Sequence, residues 1–207
     1  MKFENTIVSG FENAVLGCRL PMCKDLDEAR LKSDSEFDSG SIILGEKDLD
    51  LMKRLINADA KSGSQPNAKF LRMIHVQVCI TAPLFWWKEA DTYKVGTVAN
   101  STSTMHTITK FPITRDCFEN GNLLISKIIT FLEGYRQNYL ETKEKVWWDK
   151  IIANLPESWL QTRMYDCDYA TLRNIYRWRK NHKLQQWHSF CDWIQTLPYS
   201  ELITMEK

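Results

Sequence analysis

The feature that most constrains the fold is an alternating segment, MIHVQVCIT, at residues 73–81. Strict alternation of apolar and polar side chains is typical of a β-strand with one buried face and one exposed face. We therefore expect a strand here, and we expect His75 to be a sheet-face residue rather than a catalytic one. The expected buried face consists of Ile74, Val76, Val78 and Ile80, opposite His75, Gln77 and Cys79.

Apolar residues recur at helical spacing elsewhere in the chain. A short pattern covers residues 48–57, with Asp48 placed as its N-cap. Long helices are expected at 122–150 and 169–196, on either side of a break at the Leu-Pro of residues 155–156. The apolar stripe of the first long helix is expected to hold Leu124, Ile128, Phe131, Leu132 and Tyr135.

Length and composition favour a single globular domain over residues 1–207, since 43% of the residues are hydrophobic. The expected fold class is α+β, with the 73–81 strand in a mixed β-sheet packed against the long helices. Residues 2–16 are expected to form a strand or turn and then a short helical segment. Residues 24–45 are polar and turn-rich, so we expect a loop that orders over a ligand.

Charge and cysteine usage exclude several classes of protein. The net charge is +1, so nucleic acid is not an expected partner unless a local patch supplies the charge. No apolar run approaches the ~20 residues that span a bilayer, and the N-terminus does not resemble a signal peptide. The six cysteines form no CxxC pair. We therefore expect reduced thiols, a cytoplasmic location and no metal site.

A second distinctive stretch follows the strand, at residues 82–106. It begins with an apolar run, passes Gly96 and ends in a hydroxyl-rich turn, NSTST, at residues 100–104. Backbone N–H groups and hydroxyls in such a turn can converge on a phosphate. The same residues also suit the cap of a following element. Spacing alone leaves both interpretations open.

The second long helix places charged residues on an otherwise apolar face. Arg179 and His182 continue the stripe of Leu172, Ile175 and Tyr176 at steps of three and four residues. A charge on an inward face is rare unless it is paired. The partner is either a bound anion or a carboxylate, and the candidate carboxylates are Asp168 and Asp192. The outer face is expected to hold Arg173, Arg177 and Lys180.

These stretches resemble the signature region of the flavin-dependent thymidylate synthases. APLF at residues 82–85 is similar to the family's AP-x-F segment, and TYK at 92–94 falls on its Arg-His-Arg triplet. Asn100 and Ser103 keep the spacing of the family's Asn-x-x-Ser. Near the C-terminus, LP at 155–156, Asp168, LRN at 172–174, Arg179, His182 and QW at 186–187 follow the order of a second family segment. The resemblance covers most of residues 10–195.

The resemblance implies an enzyme that binds FAD and uses NADPH and methylenetetrahydrofolate to methylate dUMP or a related pyrimidine nucleotide. It implies a homotetramer and no protein nucleophile, with contacts between subunits suited to Trp86, Trp87, Trp147 and Trp148. Tyr93 or Trp87 is expected to stack on a ring. The implied substrate-binding residues are Lys94, Asn100, Ser101, Ser103, Thr104, His106, Arg179 and His182. The implied cofactor-binding residues are Asn67, Lys69, Arg72, Tyr93 and Lys94.

The chain departs from the family in its triplet, where Thr92, Tyr93 and Lys94 replace Arg-His-Arg. Lysine does not reproduce the planar donors of arginine. Two alternatives therefore stand beside the enzyme. One is a catalytically silent nucleotide-binding protein on the same fold. The other is a nucleic-acid-binding module that uses the cations Arg173, Arg177, Lys180 and Lys183.

Overall fold

A computed structural model describes residues 1–38, 41–62, 66–119 and 123–205. The strands are β1 (Lys2–Ser9), β2 (Glu36–Asp38), β3 (Ser41–Ile43), β4 (His75–Pro83), β5 (Thr97–Ser101) and β6 (Leu160–Asp168). The helices are α1 (Phe11–Arg19), α2 (Leu26–Lys32), α3 (Glu46–Ser62), α4 (Leu84–Ala90), α5 (Thr104–Thr107), α6 (Leu123–Thr142), α7 (Lys145–Ala153), α8 (Tyr169–Arg179), α9 (Gln185–Gln195) and α10 (Glu201–Thr204). Short 3₁₀ segments cover Leu20–Met22, Ala68–Met73 and Arg115–Cys117.

The main sheet has four strands in the order β1-β4-β6-β5, and β2 pairs with β3 in a separate antiparallel hairpin. The predicted strand is confirmed as β4, and its apolar face is fully buried at Ile74, Val76, Val78 and Ile80. Where β4 and β6 lie side by side, a higher residue number in β4 faces a lower residue number in β6. Tyr169 N–H donates to Ile74 O, and Gln77 Nε2 donates to Asp166. These two strands are therefore antiparallel.

The α+β class is confirmed. The chain forms two compact units, the first from Met1–Glu4, Cys79–Thr92 and Ala99–Tyr165, and the second from Asn5–Val78, Tyr93–Val98 and Asp166–Lys207. The assignment of residues 1–207 to a single domain stays a prediction. Across the described ranges, no helix combines the length and apolar character needed to cross a membrane.

The core of the first unit lies between α6, α7 and the loop before α6. Ile125, Leu132 and Ile151 are buried together with Ile108, Ile113 and Phe118. Arg136 is also buried, and its guanidinium donates to both carboxylate oxygens of Glu133 and to Thr109 O. Glu133 in turn accepts from Ile113 N–H. This paired charge ties α6 to the preceding loop, because a buried guanidinium is tolerated only when its donors are satisfied.

The core of the second unit is aromatic. Phe11 of α1 meets Tyr169 of α8 edge to face, with ring centroids 5.6 Å apart. The Tyr169 hydroxyl donates to Pro198 O at 2.5 Å, and Trp187 and Phe190 of α9 are buried beside each other. These rings exclude water from the base of α8 and fix its position against α1 and α9.

The predicted helix at 122–150 is interrupted. α6 ends at Thr142 and α7 begins at Lys145, because Lys143 adopts a left-handed φ of 60° that cannot continue a helix. The predicted inner stripe is also wrong in part, since Leu124 is 62% exposed and Phe131 is 65% exposed. α6 carries apolar residues on more than one face, so periodicity alone did not identify the buried one.

The predicted helix at 169–196 is two helices, α8 and α9, with residues 180–184 between them. The outer face of α8 also differs from the prediction. Arg173 is buried, and its Nη1 donates to Leu202 O and Ile203 O, because α10 covers that part of α8. The expectation that Arg173 belongs to an exposed stripe is therefore wrong, whereas Arg177 is exposed.

The predicted loop at 24–45 contains α2, β2 and β3, although residues 39–40 lie outside the described part. Asp25 caps α2 by accepting from Glu28 N–H at 2.9 Å. Asp48 is not the N-cap of α3, which already begins at Glu46. Its buried carboxylate instead accepts from Arg19 Nε and from two hydroxyls, those of Ser33 and Ser35. Asp48 therefore holds the 33–35 segment in place.

Candidate functional site

The loop before β5 lies against the N-terminus of α8 in the second unit. Gly96 has a φ of +74°, and a Cβ there would lie 2.5 Å from Thr171 Oγ1 and 2.8 Å from Asp168 Oδ2. Only glycine suits this conformation and this close approach. Thr171 Oγ1 also donates to Val95 O at 3.2 Å. The loop that contains Tyr93 is thereby fixed to α8.

Arg179 lies beside two aromatic rings, Tyr93 and Trp187, whose centroids are 6.1 Å apart. Its Nε donates to the Tyr93 hydroxyl at 2.8 Å, and its guanidinium carbon is 5.4 Å from the Tyr93 ring centroid. The same carbon is 4.8 Å from the ring of Trp187 in α9. Trp187 is fully buried, and Arg179 is half-buried. Attraction to two ring faces and one hydrogen bond hold this cation at a defined place.

His182 joins the same cluster. Its ring lies 6.3 Å from Trp187 at 74°, an edge-to-face contact. His182 Nδ1 accepts from Leu184 N–H at 3.2 Å, and the backbone carbonyl of His182 accepts from His188 Nε2 at 2.6 Å. Three residues that the sequence analysis selected separately, Tyr93, Arg179 and His182, therefore contact the same tryptophan. Trp187 was matched to the family but given no role from the sequence.

Asp168 was one of two carboxylates considered as an ion-pair partner of Arg179, but its carboxylate has a different role in the structure. Its Oδ1 accepts from Thr171 N–H at 2.7 Å, so it is the N-cap of α8. Asp is among the strongest capping residues, since its carboxylate satisfies a helix N–H and favours the positive end of the dipole. The sequence signal for this cap was the spacing of Asp168 before the apolar stripe of α8.

The hydroxyl-rich turn lies in the first unit, between β5 and α5. Thr102 N–H and Oγ1 both donate to Thr162 O, and Ser103 O accepts from Thr107 Oγ1 at 2.7 Å. Ser103 is the N-cap residue of α5 by position, but its side chain makes no capping hydrogen bond, so the expected side-chain cap is not observed. Ser103 and Thr104 are half-buried, and the remaining predicted substrate residues of this turn are exposed: Asn100, Ser101 and His106. Their binding of a phosphate stays a prediction.

The predicted cofactor residues of the second unit divide into two groups. Asn67 is engaged locally, because its backbone N–H and its Nδ2 both donate to the Asp59 carboxylate. Lys69 and Arg72 are exposed, as is Lys94 on the loop before β5. Within the described ranges, no carboxylate oxygen lies within 4.0 Å of the side-chain nitrogens of these three cations.

A cavity of about 140 Å³ opens beside Asn67 and Lys69, with Leu55, Phe70 and Met73 among its apolar lining residues. Cys18 also lines it, and burial raises the pKa of this thiol to about 12, with Asp48 adding to the effect. The thiol is therefore protonated at neutral pH and does not act as a nucleophile. The cavity offers apolar surface next to an exposed cation.

A larger cavity of about 370 Å³ has four cations among its lining residues, Arg19, Lys32, Lys47 and Arg54. Three of them already have carboxylate partners. Arg19 contacts Asp48, Lys32 contacts Glu28, and Arg54 contacts Asp50. Because these charges are offset, the cavity presents less positive charge than its lining suggests.

Trp86 and Trp87 are buried in the first unit, each 1% exposed. Trp87 Nε1 donates to Gln161 O at 3.0 Å, and Arg163 lies over the Trp87 ring at 4.2 Å. Arg163 is also paired with Asp91 at 2.7 Å. Both rings are buried. The expectation that Trp87 stacks on a ligand is therefore wrong, and so is the expectation that these two tryptophans form subunit contacts.

No family model matches the chain, and no curated protein matches it. Solved structures do. Two crystal structures of the flavin-dependent thymidylate synthase ThyX from Helicobacter pylori, both with FAD and dUMP, match with TM-scores of 0.69 and 0.70 at 16% identity. Each match covers 100% of this chain and 98% of the other.

A third match is the UMP/dUMP methylase PolB from Streptomyces cacaoi, bound with 5-Br dUMP. Its TM-score is 0.59 at 11% identity, and the match covers 98% of this chain and 93% of the other. At these identities the similarity establishes the fold. The chain has the fold of the flavin-dependent thymidylate synthases, as the sequence resemblance implied.

Proposed function

We propose that this chain is an FAD-dependent enzyme that reductively methylates dUMP or a related pyrimidine nucleotide. Methylenetetrahydrofolate is the proposed one-carbon donor, and NADPH is the proposed reductant. The main support is the Arg179 cluster, which consists of Arg179, Tyr93, His182 and Trp187. A cation is held against Tyr93 and Trp187, on the fold of enzymes whose crystal structures contain dUMP or a brominated analogue.

The residues of the second unit fit FAD in part. Lys69 and Arg72 lie on one 3₁₀ segment, Ala68–Met73, and two exposed cations suit the two negative charges of a pyrophosphate. The 140 Å³ cavity beside Lys69 offers apolar contact to a ring. Asn67 fits less well, since its amide already donates to Asp59. Lys69 and Arg72 are therefore the residues that would hold the cofactor, whereas contacts from Asn67 and Tyr93 stay predictions.

Bound flavin would supply the hydride that completes the methyl group. The chain itself would supply placement and charge. Arg179 keeps a permanent positive charge and a fixed position, so it would bind the nucleotide's anionic group without reorganising. Lys94 follows Tyr93 directly and would add a second, mobile cation. No nucleophile is needed from the protein, which agrees with the raised pKa of Cys18.

The altered triplet bears on which base is bound. Tyr93 occupies the position of the family's histidine, and in this chain its hydroxyl accepts from Arg179. A phenol hydroxyl that accepts one hydrogen bond can donate another to a base carbonyl or ring nitrogen. Both uracil and cytosine present such acceptors. We therefore propose a pyrimidine nucleotide, with dUMP and dCMP as the pair to compare.

We also propose a homo-oligomer, with a tetramer as the expected state. Leu123, Leu124 and Phe131 of α6 are each more than 60% exposed, and Val146 of α7 is 47% exposed. Exposed apolar residues grouped on two packed helices are typical of a subunit contact. Light scattering at micromolar concentration tests this proposal. A clean monomer would contradict it.

The function is tested by reconstitution and turnover. The purified protein is incubated with excess FAD, desalted and examined for flavin absorbance. It is then mixed with dUMP, methylenetetrahydrofolate and NADPH, and the nucleotide product is analysed by mass spectrometry. We expect bound flavin and a product heavier by one methylene group. Colourless protein after reconstitution, with an unchanged thermal midpoint, would contradict an enzyme of this kind.

The cofactor residues are tested by a matched pair of variants. Lys69→Ala/Arg72→Ala removes the proposed pyrophosphate contacts, whereas Lys24→Ala/Arg30→Ala removes two other exposed cations of the same unit. We expect flavin occupancy to fall only in the first variant. The remaining alternative is a catalytically silent nucleotide-binding protein. It is favoured by the replaced triplet, and it predicts dUMP binding with neither flavin nor product.

A further inference from the structure

We propose that the outer surface at the C-terminal end of α8 binds single-stranded nucleic acid. This surface, called the cationic ridge here, consists of Arg177, Trp178, Lys180 and Lys183. It uses neither the Arg179 cluster nor the proposed flavin residues. The proposal is therefore independent of the methylation activity.

Charge is concentrated in this part of the chain. The whole sequence has 27 Lys and Arg against 26 Asp and Glu, so it is nearly neutral. Residues 169–191 contain no Asp or Glu at all, and their cations are Arg173, Arg177, Arg179, Lys180 and Lys183. A near-neutral protein that groups its positive charge in one segment presents a local field that attracts polyanions.

The charge of the ridge is accessible. Arg177 and Lys183 are exposed, and in the described part of the chain no carboxylate oxygen lies within 4.0 Å of either side chain's nitrogens. Arg173 lies one turn before Arg177 and is covered by α10, where its donors meet only backbone carbonyls. No carboxylate offsets the charge of Arg173 in those contacts. This buried charge therefore adds to the positive potential at the ridge.

The aromatic component is Trp178. Its side chain is 75% exposed, whereas Trp86, Trp87, Trp187 and Trp193 are each at most 7% exposed. An indole ring that faces solvent between cations is the combination that binds single strands, in which a base stacks on the ring and phosphates contact Lys or Arg. A duplex would not suit it, because paired bases are already stacked on each other.

Neither the helix dipole nor a protein partner accounts for the whole ridge. The dipole favours cations in the last turn of α8, but it does not account for an exposed tryptophan or for Lys183, which lies beyond the helix. A second copy of this chain would bring like charges together across a two-fold contact, which is unfavourable. An acidic peptide would satisfy the cations but would leave the indole ring in water.

The test is fluorescence anisotropy of the full chain with a labelled thymidine oligonucleotide of about twelve nucleotides. We expect binding whose logarithmic dependence on salt has a slope of about −1.4, as for two phosphate contacts, from Arg177 and Lys183, on a single strand. Trp178→Ala should weaken binding about tenfold, while Trp178→Phe should retain most of it. Arg177→Ala/Lys183→Ala should reduce the slope by about 1.4.

Two matched controls should leave binding unchanged. Phe111→Ala removes an aromatic side chain that is 67% exposed in the first unit, and Lys24→Ala/Arg30→Ala removes two exposed cations elsewhere. Wild-type protein that does not bind the oligonucleotide at ~0.1 M salt would overturn the proposal. Poly-glutamate that displaces the labelled oligonucleotide as well as an unlabelled oligonucleotide does would also overturn the proposal, because the surface would then bind anions in general.

Two further results would also overturn it. A change of molar mass in Trp178→Ala by light scattering would identify the ridge as a contact between copies. Loss of the bound oligonucleotide on adding FAD, together with lower flavin occupancy in Trp178→Ala, would assign Trp178 to the cofactor site. Unchanged mass and unchanged flavin occupancy support the ridge as a separate site.

Discussion

Arg179 Nε donates to the Tyr93 hydroxyl at 2.8 Å, and this bond joins α8 to the loop that precedes β5. The two residues are 86 positions apart, and each was selected from the sequence for a different reason. Arg179 was selected for its place on an apolar helix face, and Tyr93 for its place in the triplet. Their contact makes one site out of two predictions.

The first prediction concerns this hydrogen bond. Tyr93→Phe keeps the ring over Arg179 and removes only the hydroxyl. We expect nucleotide affinity to fall by about 1 kcal/mol, the typical contribution of one hydrogen bond, with little change in folding stability. Calorimetric titration with dUMP measures it. The matched control is Tyr139→Phe in α6, and equal losses in both variants would contradict a specific role for the Tyr93 hydroxyl.

The second prediction concerns Gly96. Gly96→Ala places a methyl group 2.5 Å from Thr171 Oγ1 at a left-handed backbone position, so we expect a loss of about 1–3 kcal/mol in the free energy of unfolding. The control is Gly134→Ala in α6, where a Cβ meets nothing within 4 Å and should stabilise the helix by up to ~1 kcal/mol. Urea denaturation of both variants measures this. A neutral Gly96→Ala would contradict the close approach of the loop to α8.

The third prediction concerns Asp48 and pH. Burial alone would raise the pKa of Asp48, but hydrogen bonds from Ser33, Ser35 and Arg19 outweigh it and lower that pKa below its ordinary value. A carboxyl whose pKa is lower in the folded state stabilises the fold above its unfolded pKa, and this stabilisation is lost as the pH falls through the folded pKa. We therefore expect the free energy of unfolding to decline as the pH falls below about 4.

Asp48→Asn should abolish the part of this decline that Asp48 causes. It should also cost about 3 kcal/mol at neutral pH, since it removes the closer carboxylate partner of Arg19 and leaves only Asp34 at 4.0 Å. Asp50→Asn is the control, because Asp50 is exposed and its pair with Arg54 lies in solvent. Urea denaturation at several pH values measures both. If the acid-induced loss in Asp48→Asn equals that of wild type, another carboxyl is responsible.

The fourth prediction concerns Arg173. Its guanidinium donates to two carbonyls at the end of α10, so Arg173→Met removes these bonds and leaves both acceptors buried. We expect a loss of about 2 kcal/mol in the free energy of unfolding. Arg177→Met, one turn along and exposed, should change stability little. Equal stabilities of the two variants would show that Arg173 does not fasten α10.

The strand β4 and the apolar face of α8 could be predicted from the sequence, because alternation and helical periodicity are local consequences of burial. The ends of helices were harder to predict from the sequence. The break at Lys143 depends on a left-handed residue with no glycine to mark it. The burial of Arg173 depends on α10, which lies 29 residues further along the chain. Burial by a helix that is distant in sequence leaves no local sequence pattern.

The candidate site was predicted in part. Periodicity placed Arg179 on the correct face of α8, and the family resemblance placed Tyr93. His182 lies beyond the end of α8, in the segment before α9, so periodicity did not predict its position. Neither periodicity nor the resemblance indicated that Trp187 is the ring these residues share, because a buried tryptophan in a helix is more often a core residue. The resemblance also gave the hydroxyl-rich turn a phosphate, whereas the observed hydrogen bonds of that turn are made to the backbone carbonyls of Thr162 and Ser103.

The most direct test of the central claim is calorimetric titration of wild-type protein and of Arg179→Ala with dUMP and dCMP. Arg177→Ala, with the same change of charge two residues away, is the control. We predict that wild type and the control bind a pyrimidine nucleotide alike, and that Arg179→Ala binds it more weakly by roughly 2–4 kcal/mol, with an unchanged thermal midpoint. Unchanged affinity in Arg179→Ala, or no binding of either nucleotide by wild type, would contradict the claim that Arg179 binds the substrate.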